Sequence, residues 1–131
     1  MLETEQTIQY HELEDQSEVW QIAIDIIDSN HAITIVAPVA GIELDDIDVA
    51  LDNGVLTISG TRNKPEDLYV GDDISIKNTE CFWGKFTRNI ILPDNLDFDS
   101  VRATMENGLL MVAVSKLSFA NKKIQVESLD D

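Results

Sequence analysis

Few of the residues that build covalent or catalytic chemistry occur in this sequence. A single cysteine, Cys81, stands among 131 residues, which excludes an internal disulfide and fits a reducing compartment. Only two histidines are present, His11 and His31, and neither lies near Cys81 in the chain. Nucleophilic catalysis needs a base beside the nucleophile, so Cys81 is read as a small, half-buried side chain next to Phe82. Bases are scarce as well: 9 Lys and Arg against 25 Asp and Glu give a net charge of -16, a field that repels nucleic-acid phosphates and anionic lipid headgroups. No apolar run approaches the ~20 residues that cross a bilayer. The acidic start lacks the basic segment of a signal peptide, and a cytoplasmic location is expected. There is no G-x-x-x-x-G-K-[ST] loop and no G-x-G-x-x-G, so no nucleotide cofactor is expected.

The acidic clusters do not make metal sites. His11-Glu12-x-Glu14 lacks helical i, i+4 spacing and a second cluster, and reads as a solvated acidic face. Asp45-Asp46 and Asp72-Asp73 lack the alternating ligands and glycine hinge of a calcium loop; they keep turns soluble. With no cofactor and no metal, an enzyme is not expected.

What is present is strand pattern. At 44% hydrophobic and 26% charged the chain is apolar enough to fold, and its length suits one domain. Residues 1–19 carry six acids and no Lys or Arg, an acidic arm without a sustained helical stripe. Residues 20–116 form the domain. Residues 117–131 read as a polar tail. Between residues 20 and 115 the apolar spacing is two: Ile33 and Ile35 alternate with Thr34 and Val36 up to Pro38, and Phe86 to Leu92 forms a further strand closed by Pro93-Asp94-Asn95.

An internal duplication is more informative. Residues 47–58, IDVALDNGVLTI, match residues 101–112, VRATMENGLLMV, at an offset of 54. Each copy places Asn-Gly between alternating strands, the signal of a type I′ hairpin turn, in which both central residues take φ > 0. With Asn53-Gly54 as the loop, Leu51 faces Leu56 and Val49 faces Ile58. With Asn107-Gly108, Met105 faces Leu110, Ala103 faces Val112 and Val101 faces Val114. Both sets are wholly apolar on one face, and a one-residue slip would scatter them. The segment from Thr61 to Thr79 is polar, yet Leu68-Tyr69-Val70 and Ile74-Ser75-Ile76 are too apolar for a free loop. Seven or more short strands without a long helix give an all-β, antiparallel, immunoglobulin-like β-sandwich.

These residues resemble the small heat-shock proteins, built on the alpha-crystallin domain. Ala103-Thr-Met-Glu-Asn107-Gly108-Leu109-Leu110-Met-Val112 resembles the family's A-x-x-x-N-G-V-L-x-V signature. The stretch from Glu80 through Gly84, Phe86 and Arg88 to Leu92-Pro93 is similar to E-x-x-x-G-x-F-x-R followed by L-P. Residues 53–60 match G-x-L-x-I-x-[GA], Trp20 with Asp25-Ile26 resembles the domain entry, and Ile124-Gln125-Val126 has the form of the tail anchor I-x-[IV]. Val39-Ala40-Gly41 stands where L-P-G is frequent, and Ser115-Lys116 where P-K is frequent. The arm is shorter and more acidic than family arms, and is expected to solubilise rather than to capture clients.

The resemblance implies an ATP-independent holdase of the stress response that binds unfolding proteins. It also implies a dimer made by exchanging the strand Asp73, Ile74, Ser75, Ile76, and higher homo-oligomers. These would be held by Ile124 and Val126 in a groove lined by Val49, Leu51, Val101, Ala103 and Met105. Two rivals remain at this level: a CS-domain-like co-chaperone, which shares the sandwich but lacks the long loop and tail anchor, and a structural or scaffold protein using the same domain.

Overall fold

Among the described residues the alternation becomes eight strands in two sheets. The computed structural model describes residues 19–117 and 124–130, so all of the acidic arm but Val19 lies outside the described residues. In chain order the strands are β1 Trp20–Gln21, β2 Asp25–Asp28, β3 Ala32–Pro38, β4 Ile47–Asp52, β5 Val55–Arg62, β6 Gly84–Ile91, β7 Arg102–Glu106 and β8 Leu109–Ser115, with one helical turn, α1 Glu66–Tyr69, between β5 and β6. One sheet has the order β1-β6-β5-β4 and the other β2-β3-β8-β7. The β-sandwich is as the alternation requires. One pairing departs from the antiparallel expectation: β1 lies parallel to β6, with Trp20 beside Phe86 and Gln21 beside Thr87. The strand expected at Phe86 to Leu92 begins earlier, at Gly84, whose φ of 99° turns the chain out of the preceding loop.

Both Asn-Gly turns form in the expected register. Asn53 and Gly54 have φ of 51° and 77°, Asn107 and Gly108 of 54° and 74°, so all four central residues are left-handed, as a type I′ turn demands. Leu51 pairs with Leu56 and Val49 with Ile58. Met105 pairs with Leu110 and Ala103 with Val112. The expected Val101–Val114 pair does not form, because the ladder ends at Arg102–Ala113. Residues Phe98–Ser100 wind into a 3-10 turn just before β7. The N–H of Ser115 then donates to Ser100 Oγ at 2.9 Å and its carbonyl accepts from Asp97 N–H at 2.8 Å, so a local turn replaces the last rung of the ladder.

Every second residue of the inner strands enters the space between the sheets. Ile33, Ile35 and Ala37 of β3, Leu56 and Ile58 of β5, Phe86 and Ile90 of β6, and Leu110, Val112 and Val114 of β8 are all buried. Among the described residues no polar or charged residue is buried, so the core relies on apolar burial with the backbone satisfied by the ladders. The turn after β3 closes without the proline frequent in the family. Ile42 N–H donates to the Val39 carbonyl at 3.0 Å, and Arg62 Nε donates to the Ala40 carbonyl at 3.1 Å, which supplies the stiffness the missing ring would have given. At the domain's exit Lys116 N–H donates to the His31 carbonyl at 2.8 Å and Leu117 N–H to the Asn95 carbonyl at 2.9 Å, so ordered contacts reach Leu117.

One glycine is required by close approach. A Cβ on Gly60 would sit 2.1 Å from the Asp46 carbonyl oxygen and 2.8 Å from Phe86 Cζ. Both neighbours are held, one as backbone and the other in the core, so neither can give way cheaply. Gly60→Ala is therefore expected to destabilise the fold by about 3 kcal/mol, read as a lower urea midpoint at unchanged slope.

Candidate functional site

The functional surface is built from strands left at the edges of the sheets. An edge strand presents unpaired N–H and C=O groups, a template on which an extended chain can add. β4 and β7 are terminal strands of their respective sheets, and the side chains they send inward are only partly covered. Val49, Leu51, Val101 and Met105 are half-buried and pack against the core, whereas Ala103 is exposed. Leu51 and Val101 meet in one cleft of about 710 Å³ whose lining also includes Phe98, Ile91 and Leu92. Sequence reasoning missed Phe98. It sits in the 3-10 turn after Pro93, where no strand period flags it, and its ring lies over the Asn53-Gly54 turn, with Cζ 3.9 Å from where a Cβ on Gly54 would be.

The tail residues Ile124 and Val126 are 81% and 89% exposed and lie outside any strand. Were this segment extended on a partner, residues i and i+2 would face one side and Ile124 and Val126 would form a paired apolar face with Gln125 opposite. Such a pair matches the spacing of a sheet-edge groove.

The second edge is β2. It pairs with β3 on one side and is the outer strand of its sheet, with Ile26 and Ile27 both exposed. The long segment between β5 and β6 carries Leu68 and Val70, each 72% exposed, and Ile74 and Ile76, also exposed. Leu68 lies within the helical turn α1, after which Val70 N–H donates to the Glu66 carbonyl at 2.9 Å, and Asp73, expected to open a strand, lies instead in a turn in which Ile74 N–H donates to the Gly71 carbonyl at 3.2 Å. Among the described residues Asp73, Ile74, Ser75 and Ile76 join no ladder of their own chain. The side chains of Ile74 and Ile76 are exposed.

The remaining motif residues have structural roles. Glu80 accepts from Asn78 Nδ2 at 2.6 Å, Phe86 is buried in the core, and Arg88 Nη1 donates to the Ile22 carbonyl at 3.2 Å, tying β6 to the chain entering from β1. Asn107 and Gly108 make the second turn, and Leu110 is buried. Cys81, expected to be half-buried, is exposed, because the chain is still in the loop there and no sheet covers it. His31 is exposed in the β2–β3 turn, where Ser29 Oγ accepts from its N–H at 3.2 Å.

Comparison with known proteins agrees with this geometry. The profile of the Hsp20/alpha crystallin family matches residues 25–127. The 22.7 kDa class IV heat shock protein of Pisum sativum is 45% identical over 85 residues, covering 64% of this chain and 42% of that protein. The 17.8 kDa class I heat shock protein of Arabidopsis thaliana is 32% identical over 117 residues, covering 88% of this chain and 73% of the relative. Among solved structures, heat shock protein 16.0 from Schizosaccharomyces pombe superposes with a TM-score of 0.67 at 27% identity, covering 82% of this chain and 97% of that one. A small heat-shock protein from Xylella fastidiosa, described as having a distinct high order structure, gives 0.68 at 28% identity over 83% of this chain and 98% of that one. The chain spans less than half the length, 42%, of some curated relatives it matches. With a family profile over most of the sandwich and an identity of 32% across 88% of its length, the chain belongs to the Hsp20/alpha crystallin family.

Proposed function

We propose that this protein is an ATP-independent, non-enzymatic holdase that binds unfolding proteins and keeps them from aggregating. The observation that carries the reading is the row of half-buried apolar side chains on the β4 and β7 edges, Val49, Leu51, Val101 and Met105, beside open backbone. Unfolding clients expose apolar side chains and unpaired strands, and a surface offering both complements bound reversibly removes them from the aggregating pool without nucleotide. A reducing, cytoplasmic setting fits the lone thiol, and the net charge of -16 disfavours nucleic acid and membranes as partners. In this reading residues 20–116 are the working domain, flanked by the acidic arm and by an anchor-bearing extension. Light scattering of a heat-aggregating client is the test. The chain is expected to suppress scattering equally with and without ATP; no suppression at equimolar or higher amounts overturns the reading.

Assembly follows from the two open edges. The exposed alternation Ile74, Ile76 suits addition to the partner's β2, whose exposed Ile26 and Ile27 it would cover. A chain lacking residues 66–77 is expected to be soluble and monomeric by native mass, whereas a persistent dimer requires another interface.

The tail anchor would seat Ile124 and Val126 in the β4–β7 groove of a neighbouring dimer. Burying two aliphatic side chains contributes about 3 to 6 kcal/mol before ordering costs, which makes each contact weak and reversible. Repetition around a closed assembly gives it avidity. Ile124→Ser with Val126→Ser is expected to leave folded dimers and dissolve higher assemblies. Retention of the full mass by this double variant would exclude the anchor.

A further inference from the structure

A second cleft, of about 650 Å³, opens beside β1 where the long segment enters β6, and its chemistry is opposite to that of the rest of the molecule. Its floor is aromatic. Trp20 stacks on Phe82 with centroids 5.4 Å apart and leans on Phe86 at 5.3 Å, and Trp83 lines the same space. Its rim is cationic: Arg62 and Lys64 both line it, and no carboxylate does, in a chain where acids outnumber bases 25 to 9. The Arg62 guanidinium lies 5.1 Å from the Trp20 ring centre and Lys64 Nζ 4.8 Å from that of Tyr69, so the aromatic rings hold both cations in place. Among the described residues neither forms a salt bridge. The indole N–H of Trp20 is buried with no acceptor among the described residues. Arg62 already donates from Nε to the Ala40 carbonyl and from Nη1 to the Phe82 carbonyl, so Lys64 and the remaining guanidinium N–H groups are the free cationic donors, and with the aromatic floor they suit an occupant that brings carboxylates and apolar side chains together.

We infer that the occupant is the chain's own acidic arm, residues 1–18. The arm carries six acids and no Lys or Arg, interspersed with Leu2, Ile8, Tyr10 and Leu13. It joins the domain at Val19, one residue before the indole that forms the cleft wall, so its effective concentration at the cleft is on the order of millimolar. Such docking neutralises the cationic rim and covers aromatic surface at the base of the long segment. Being built on exposed charge pairs, it loosens as salt rises. The docked arm still adds negative charge to the surface while covering Trp20, Phe82 and Trp83. This inference does not depend on the holdase reading.

Both tryptophans of the chain line this cleft, so tryptophan emission, excited to the red of tyrosine absorption, reports on it. The full chain at low salt is compared with a chain lacking residues 2–17 by acrylamide quenching. Truncation is expected to remove protection and shift emission to the red, and a synthetic peptide of residues 1–18 to restore both. A peptide with its six acids replaced by Gln and Asn should bind about tenfold more weakly, as expected when two or more exposed pairs are lost. Lys64→Glu in the full chain should reproduce the truncated spectrum; Arg62 is left intact because it also holds the Ala40 carbonyl. Should the truncated chain not fold, the Lys64→Glu variant and a full chain with the arm acids neutralised still give the reading. Equal quenching with and without the arm overturns the inference, as when a partner's loop or an acidic tail fills the cleft instead. So does peptide binding that Lys64→Glu leaves unchanged.

Discussion

Two tight turns hold the sandwich in register. At Asn53-Gly54 and Asn107-Gly108 the backbone takes positive φ at both central residues, which twists each hairpin the way its strands twist and allows one pairing only. From that pairing the side-chain period of two sends Leu56 and Ile58 from one sheet, and Leu110 and Val112 from the other, into a common interior. A slip by one residue would carry Thr57 and Met111 inward and turn the buried set out to water. Gly60 extends the same constraint to the far end of the first hairpin. There β5 passes so close to Asp46 and Phe86 that no side chain fits.

Filling the interior does not close the sheets. A sandwich of four plus four strands has edges, and at β4, β7 and β2 the backbone groups that further strands would pair are left open. Proteins ordinarily protect such edges with charge or bulges. Here β4 does carry Asp48 and Asp52 outward, while Val49 and Leu51 line the inner rim. The result is soluble at its outer face and receptive at its seam. In the proposed function, weak and repeated contacts of extended segments along such a seam would give reversible assembly and a hold on unfolded chains, which bring the same unpaired strands.

Charge is distributed with equal economy. Three of the nine bases join elements: Arg62 holds the turn after β3, Arg88 ties β6 to the carbonyl of Ile22, and Lys116 pairs with Asp28 across the start of the domain and its end. Arg62 and Lys64 also make a cationic rim around stacked rings, an exception within a strongly acidic molecule. The excess acid keeps open apolar edges from associating indiscriminately.

The amino-acid order by itself determined whatever is local. The two Asn-Gly hairpins, the alternating faces of β3, β5 and β8, and the apolar character of residues 74–76 and 124–126 each depend on neighbours within a few residues, so turn chemistry and period suffice to read them. The cleft was legible to the extent that Leu51 follows from the register of the first hairpin; Val49, Ala103 and Met105, expected beside it, are not among its lining residues. Phe98 was not legible, because it reaches the cleft from a turn outside any period. Tertiary structure alone decided what depends on distant segments meeting. The Val101–Val114 pair is lost because Ser100 Oγ takes the N–H of Ser115, a contact between residues 15 apart. β1 lies parallel to β6 because two residues are too short to carry a pattern and are placed by the packing of Trp20 on Phe82 and Phe86. Cys81 is exposed because no sheet reaches over the loop that bears it. The aromatic and cationic cleft brings together residues 20, 62–64 and 79–84, three stretches whose chemistry has meaning only once the fold has set them side by side.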